Sequence, residues 1–458
     1  MQLWMLQGFC KNKLMARRFT FHPHDVNAKG GKLSLNYALH DGTKMTEIID
    51  FGVDFSAQYN AKKEQFDRIF GYVSLAAGVS YYKADFPSKV KTLDANISYK
   101  TAEFFSDFYY HGLGEFAARN ELDLESLKSS TNFEADTSED VPFPIDVSHK
   151  SLVMIGGGKD SIVTIEALRD HKDIVLCAVN PSQSIKDCIQ ASGLDAIVIK
   201  RSLDPKLFEM NKNCALNGHV PITGILSFIA LAASLIHGFD SVILSNERSA
   251  SEETRIYQGE AINHQYSKSI AFEKAFQTFI SECFTSDISS FSFLRPLSEL
   301  HIAKIFEKTN RYDSVLTSCN GAHKLLGTEN KRWCLSCPKC CFSFLMLATA
   351  FDKDRLISIF GANLLDQTNL LDEFEKLCGL SGHKPWECVG EIKESAAAIY
   401  LLGQNEAWQD DVIVKTLLPQ IKKAYGDMED ITKELYTPTL EHIMPDSYLE
   451  ILNAHLAG

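Results

Sequence analysis

Residues 156–161, GGGKDS, follow the apolar run Leu152-Val153-Met154-Ile155 and precede a segment with apolar residues at 162, 165, 167 and 168. An apolar run, a tight turn and helical spacing read as strand, loop and helix start. Gly156, Gly157 and Gly158 let the backbone approach an anion and take positive φ. The helix start behind them offers free N–H groups and the positive end of a dipole. Lys159 adds a point charge, Ser161 a hydroxyl, and Asp160 a carboxylate that orients the loop or holds Mg²⁺. The stretch is suited to phosphate. It is not GxxxxGK[ST], because Asp160 follows Lys159, and it is not GxGxxG. A glycine turn without a ligand is the bland alternative.

Three further stretches could carry chemistry. Residues 245–251, SNERSAS, pack Asn246, Glu247, Arg248 and Ser249 directly behind an apolar strand pattern, which reads as substrate contact, with Glu247 positioning substrate or Mg²⁺. Residues 259–269 place His264 and Lys268 among the amide and hydroxyl groups of Asn263, Gln265 and Ser267, a set suited to a carboxylate or phosphate and to proton transfer. His219, between Gly218 and the Val220-Pro221 step, stands on a loop before a long apolar helix and serves either as acid/base or as a structural residue.

Cys319, Cys334, Cys337 and Cys340 are spaced C-x14-C-x2-C-x2-C, with Cys341 as a spare neighbour. Four thiolates at this spacing can close a tetrahedral zinc site, with an iron–sulfur cluster or unligated thiols as alternatives. All-sulfur ligation favours a structural role. The other cysteines are scattered and form no disulfide framework, which fits a reducing, cytoplasmic setting.

These motifs need a scaffold. At 458 residues, with 45% hydrophobic and 23% charged, the chain has ample core for two or three domains. A net charge of −13 without a basic stripe disfavours nucleic acid as a partner. No stretch reaches the length of a membrane span, and residues 1–18 lack a basic then apolar leader pattern; Met15 offers a second start. Residues 1–120 read as a β-rich unit over 17–55, followed by a helical stretch over 61–120, with near-helical apolar spacing over 66–76 and a second helix over 102–120, and with 78–87 as a binding loop or packing. Residues 121–149 are polar and acidic and read as a linker. Residues 150–345 alternate strands (151–155, 174–179, 196–199, 241–245) with helices (161–170, 183–192, 222–237), which predicts an α/β domain with a parallel sheet. Ligands then bind beyond the carboxyl ends of the strands, where 156–161, 180–184 and 246–251 converge. Residues 346–458 read as helical, a cap or dimer surface without chemistry of its own; the oligomeric state stays open.

The glycine loop resembles the SGGxDS loop of the ATP pyrophosphatase families, whose fold is the adenine nucleotide α-hydrolase type, with Gly156 where those families carry serine. The cysteine cluster behind it is similar to that of 7-cyano-7-deazaguanine synthase, which is much shorter and lacks the β-rich start. A wider likeness is to the MurL family of epimerases, over GVSYYKADFP (78–87), GGGKDS (156–161), NGHVPITG (217–224), SNERSAS (245–251), NHQYSKS (263–269) and CLSCPKC (334–340). That resemblance implies a UDP-sugar dipeptide substrate, UDP-MurNAc-L-Ala-L-Glu, whose terminal L-Glu becomes D-Glu while ATP is split to AMP and PPi, with Mg²⁺. The alternative is an adenylating ligase or amidotransferase. For the epimerase, His264 and His219, or Lys268, are the acid/base candidates.

Overall fold

The computed structural model describes residues 17–93, 97–213, 215–323 and 332–457. Readings that fall elsewhere, the Met15 start and Cys10 and Cys214 among them, lie outside the described residues. The strands are β1 (Arg18–Asn27), β2 (Lys32–Ala38), β3 (Lys44–Asp50), β4 (Lys89–Thr92), β5 (Ser148–Met154), β6 (Ile174–Val179), β7 (Ala196–Ser202), β8 (Phe239–Leu244), β9 (Arg255–Tyr257), β10 (Glu260–Ile262) and β11 (Ser289–Ser292). Among the described residues they form one nine-stranded sheet, ordered β11-β8-β5-β6-β7-β3-β2-β1-β4, and a small β9–β10 hairpin.

β5, β6, β7, β8 and β11 run parallel, as the alternating strand–helix pattern predicts. β11 had no sequence counterpart, because its four residues SSFS are too short and too polar to show a period. β2 and β3 form an antiparallel hairpin around Asp41-Gly42, where Gly42 takes φ +84°. β3 then pairs antiparallel with β7, so residues 18–50 and the parallel strands share one sheet.

That junction is held by a buried ion pair. Arg201 donates from Nε and Nη2 to the two carboxylate oxygens of Glu47 at 2.6 and 3.1 Å, and to Ser80 Oγ at 3.0 Å. Glu47 is fully buried. Removing one member of such a pair strands the other charge in a dry environment. Glu47→Ala therefore lowers unfolding stability by about 3–5 kcal/mol, read from a denaturant titration; an unchanged midpoint would show that the junction does not depend on the pair.

Side chains alternate across the sheet. Val153, Leu176, Ala178, Ile243 and Phe291 face a core completed by the helices after residue 338. Leu152, Cys177, Ile199 and Val242 face a second core shared with helix Ile222–His237 and the N-terminal aromatics Phe105, Phe108, Tyr109 and Phe116.

Several local readings need correction. Residues 102–120 form two helices, Tyr99–Gly112 and Gly114–Arg119, which break at Leu113. Gly112 packs so closely on Pro221 that a Cβ would lie 2.5 Å from its ring. Residues 78–85 are not a loop but the buried end of helix Lys63–Asp85. The polar stretch after 120 contains helix Leu124–Ser130, capped by Asp123, before an irregular run to β5.

Candidate active site

The first cluster lies at the carboxyl end of β5. Helix Lys159–Leu168 begins directly behind Gly158. Gly157 takes φ +75°, which favours glycine, and a Cβ on Gly158 would lie 2.8 Å from Ser318 Oγ, so a side chain there would displace that hydroxyl. Ser161 Oγ donates to the Gly158 carbonyl at 3.0 Å. Lys159 is buried and paired with Asp160 and Glu299. Burial opposes its charge, but Asp160, Glu299 and Glu247 together hold it protonated. Burial likewise opposes ionisation of Asp160, yet Lys159, Lys339 and Lys268 lower its carboxyl below the usual range. Glu299 starts the helix Glu299–Phe306; burial pushes its carboxyl up to about 7, with Lys159 working against that rise.

The second cluster is Glu115, His219 and His264. Glu115 opens the helix created by the break at Leu113 and accepts from His264 Nδ1 and Arg119 Nε. The two imidazole rings lie 4.5 Å apart between centroids. Their environments push them in opposite directions. His219 sits at about 4, lowered by burial first and then by the charge on His264, with Lys268 and Lys83 adding and Glu115 opposing. Burial would lower His264 too, but its contacts with Cys388 and Glu115 outweigh that and raise it to about 9. At neutral pH the pair is one neutral imidazole and one imidazolium, a base beside an acid. Lys83, from the buried 78–85 stretch, holds the His219 loop by donating to Asn217 Oδ1 at 2.6 Å and the Gly218 carbonyl at 2.7 Å.

Lys268 and Cys388 connect the clusters. Lys268 Nζ stands 3.6 Å from Cys388 Sγ, and His264 Nε2 stands 4.0 Å from the same sulfur. Lys268 is held protonated by the Cys388 thiolate first, against burial, and also by Glu247 and Asp160 of the glycine-loop cluster. Lys339 Nζ donates to the Cys388 carbonyl. Expected acid/base residues His264, His219 and Lys268 are thus brought together, beside Gly156–Ser161 rather than apart from it.

The expected substrate contacts divide. Arg248 pairs with Glu391 at 3.0 Å, and Glu247 is buried beside the Lys159 group. Asn246 donates to Ser292 Oγ at 3.0 Å, Ser249 to Glu247 Oε1 at 3.3 Å, and Asn263 to the Ala250 carbonyl at 2.9 Å. The Asn246 and Asn263 bonds hold separate segments against one another, and the Ser249 bond stiffens its own loop. Gln265 and Ser267 are buried, and Gln265 Oε1 has no partner. Asn180 of the loop after β6 bonds both the N–H and the carbonyl of Arg201, so it fastens β6 to β7. Arg295, after β11, fastens the other two loops: it donates to the carbonyls of Glu247 and Lys268, both at 2.6 Å, and pairs with Glu273 at 2.8 Å.

The sulfur atoms of Cys319, Cys334, Cys337 and Cys340 all lie within 4.8 Å of one another, with Cys334 and Cys340 3.7 Å apart. A tetrahedral zinc with Zn–S bonds of about 2.3 Å separates its sulfurs by about 3.8 Å, so the donor set fits. Trp333 stacks on Phe360 beside it. Asn320 donates to Glu387, so this knuckle and Lys339 together brace the loop carrying Cys388. Glu115, His219 and His264 also come within 4.8 Å. There Arg119 already occupies Glu115, and Lys83 and Lys268 add positive charge, an arrangement for protons rather than for a cation.

Sequence reasoning missed Glu115, Glu299 and Cys388. The C-terminal region is not chemically silent: it supplies Cys388, and Glu394, which accepts from the N–H of Glu299 at 2.8 Å. A signal existed for Cys388, which stands in the polar turn Trp386-Glu387-Cys388-Val389-Gly390 rather than in an apolar run. Glu115 and Glu299 have none, since each is one carboxylate among many at a helix start.

Residues 11–293 match the family model of the MurL N-terminal domain, and residues 315–432 that of the MurL C-terminal domain. A protein of Xanthomonas oryzae pv. oryzae, named UDP-N-acetyl-alpha-D-muramoyl-L-alanyl-L-glutamate epimerase, is 38% identical over 99% of this chain and 100% of its own. Relatives of the same name from Salinispora tropica and a Micromonospora species are 37% and 36% identical, each over 95% of this chain. No solved structure matches significantly.

Proposed function

The chain belongs to the MurL family, and from that premise we propose that it epimerises the terminal L-Glu of UDP-MurNAc-L-Ala-L-Glu to D-Glu, using ATP and releasing AMP and PPi. The observation that carries the ATP-dependent part is the joining, in one crevice, of a buried-lysine glycine loop to a neutral/charged imidazole pair.

A free carboxylate leaves its α-hydrogen very weakly acidic, because deprotonation sets a second negative charge beside the first. Adenylation removes that charge and turns the carbonyl into an electron sink. The glycine loop, a pyrophosphatase-type loop in this reading, holds the phosphates on its N–H groups, and Lys159 stabilises charge on the departing PPi. Asp160 and Glu247 offer the hard oxygen donors that would hold Mg²⁺, which supplies further neutralisation of phosphate charge. His219, neutral, takes the α-proton; His264, protonated and oriented by Glu115, returns one. Water restores the carboxylate. The rings must part to admit Cα between them.

The four thiolates of the knuckle, whose sulfurs converge, would hold a structural Zn²⁺. Metal analysis of purified protein gives one zinc per chain. Cys337→Ser, or a strong chelator, removes it and costs several kcal/mol of stability, together with ATP-dependent activity as the Cys388 loop loosens. Full thermal stability without zinc would exclude the role.

The whole reading is tested by incubating the protein with ATP, Mg²⁺ and UDP-MurNAc-L-Ala-L-Glu, following AMP and PPi, and resolving the product glutamate on a chiral column. D-Glu formed with stoichiometric AMP supports it. AMP without D-Glu assigns the adenylation to another outcome, and D-Glu without ATP overturns the adenylate.

A further inference from the structure

We propose that Cys388 is a covalent nucleophile of this reaction: its thiolate displaces AMP from the acyl adenylate and carries the glutamyl group as a thioester while Cα changes hand. The inference rests on the adenylation reading above and adds a step to it.

The position of the sulfur is the first argument. Cys388 Sγ lies between Lys268 Nζ at 3.6 Å, which faces the Asp160 and Glu247 side, and His264 Nε2 at 4.0 Å, which belongs to the proton-transfer side. The sulfur thus touches both the lysine coupled to the glycine-loop carboxylates and the imidazole paired with Glu115. The residue as a whole is half-buried, and its loop is braced by Lys339 on the Cys388 carbonyl, by Asn320 on Glu387 and by Arg248 on Glu391. A residue needed only for packing would not require such bracing.

Spacing is the second. Two bases that flank Cα from opposite faces stand about 3–3.5 Å from it each, hence roughly 6–7 Å from one another. At 4.0 Å, Cys388 and His264 stand closer than that, as a nucleophile and its acid/base partner, whereas His219 and His264, 4.5 Å apart between ring centroids, reach the two-base separation once the rings part around Cα.

The charge state agrees. Burial works against a thiolate here, but Lys268, His264 and Lys339 overcome it and hold Cys388 at about 6. Burial alone pushes the core thiol Cys177 up to about 12, and burial with the Asp187 carboxylate does the same to Cys188 against Arg332. The thiolate is the attacking species.

The step balances. A sulfur lone pair attacks the adenylate carbonyl carbon; the C–S bond forms, the bond from carbon to the phosphate oxygen breaks, and AMP leaves with that electron pair. The α-proton then moves to His219, and His264 supplies one to the opposite face. Water adds to the thioester, sulfur leaves as thiolate, and the protons of water pass to solvent. The gain is electrostatic. An enolate formed on the adenylate develops its charge next to the AMP phosphate, whereas on a thioester that phosphate has already gone, and sulfur donates weakly into the carbonyl.

The experiment uses full-length wild type, Cys388→Ala and Cys388→Ser with ATP, Mg²⁺ and UDP-MurNAc-L-Ala-L-Glu. ATP–PPi exchange reports folding and adenylation and stays within about threefold in both variants. D-Glu formation falls by about a thousandfold or more. PPi appears as a single burst, without steady AMP release. Wild type, acid-quenched during one turnover, carries the substrate mass less one water, removable by neutral hydroxylamine. Steady AMP release by Cys388→Ala, epimerisation within threefold of wild type in either variant, or no adduct in the wild-type quench overturns the proposal. A wild type that forms D-Glu without AMP or PPi fails at the adenylation reading instead, which these readouts separate.

Discussion

Lys159→Ala abolishes ATP–PPi exchange and D-Glu formation together, each by about a thousandfold or more, the scale seen when a preorganised cation is removed from a phosphate transition state. Lys159 is buried against Asp160 and Glu299, and its Nζ lies at the start of the helix whose N–H groups face the loop. Truncation removes the positive charge and leaves the two carboxylates facing each other. Glu299, already raised to about 7 by burial, then takes up a proton, because Lys159 was the group holding it down. The site survives as a fold and loses its attraction for phosphate. Lys159→Arg recovers little, since a planar fork does not replace a point charge in a buried socket. Epimerisation that persists at the wild-type rate after exchange is lost would show that activation by ATP is not on the path.

His264→Asn gives the complementary result. ATP–PPi exchange stays near the wild-type rate, while D-Glu formation and solvent deuterium uptake at Cα fall by about 10²–10⁴-fold. The variant keeps polarity in the contact with Glu115 but removes the ionisable ring. The wild-type pH profile carries the same assignment. Cys388 at about 6 and His264 at about 9 titrate as a coupled pair, so the thiolate–imidazolium form exists between those values. Activity falls below about pH 6 as the sulfur is protonated, and above about pH 9 as the imidazolium is lost. The neutral form of His219 is present throughout, since it titrates at about 4. A His264→Asn enzyme that exchanges the α-hydrogen at the wild-type rate would remove His264 from the mechanism. Together the two variants separate activation from proton transfer.

Local chemistry was legible in the linear order. GGGKDS could be read because strand, turn and helix start follow from apolar pattern and glycine freedom within a dozen residues. The parallel strands could be read from apolar runs that alternate with helices. The CxxCxxC spacing announced four sulfurs that do converge. His219 and His264 stood out because polar residues crowd around them.

Tertiary structure decided the remainder. A sequence pattern reports which face of an element is apolar, not which distant loop will meet it. Cys388 lies 124 positions from His264, and Glu115 lies 149 positions away on the other side. Beside the break at Leu113 that presents Glu115, Gly112 meets Pro221, a contact that no local propensity encodes. Whether a thiol is inert, as at Cys177, or a thiolate, as at Cys388, depends on which charges the fold brings within a few ångströms. Most of the longer elements and the glycine-loop, histidine and cysteine motifs were legible along the chain; only packing decided which groups, Glu115, Glu299 and Cys388 among them, share a low-dielectric crevice, because electrostatic coupling is set by distance in space rather than along the chain.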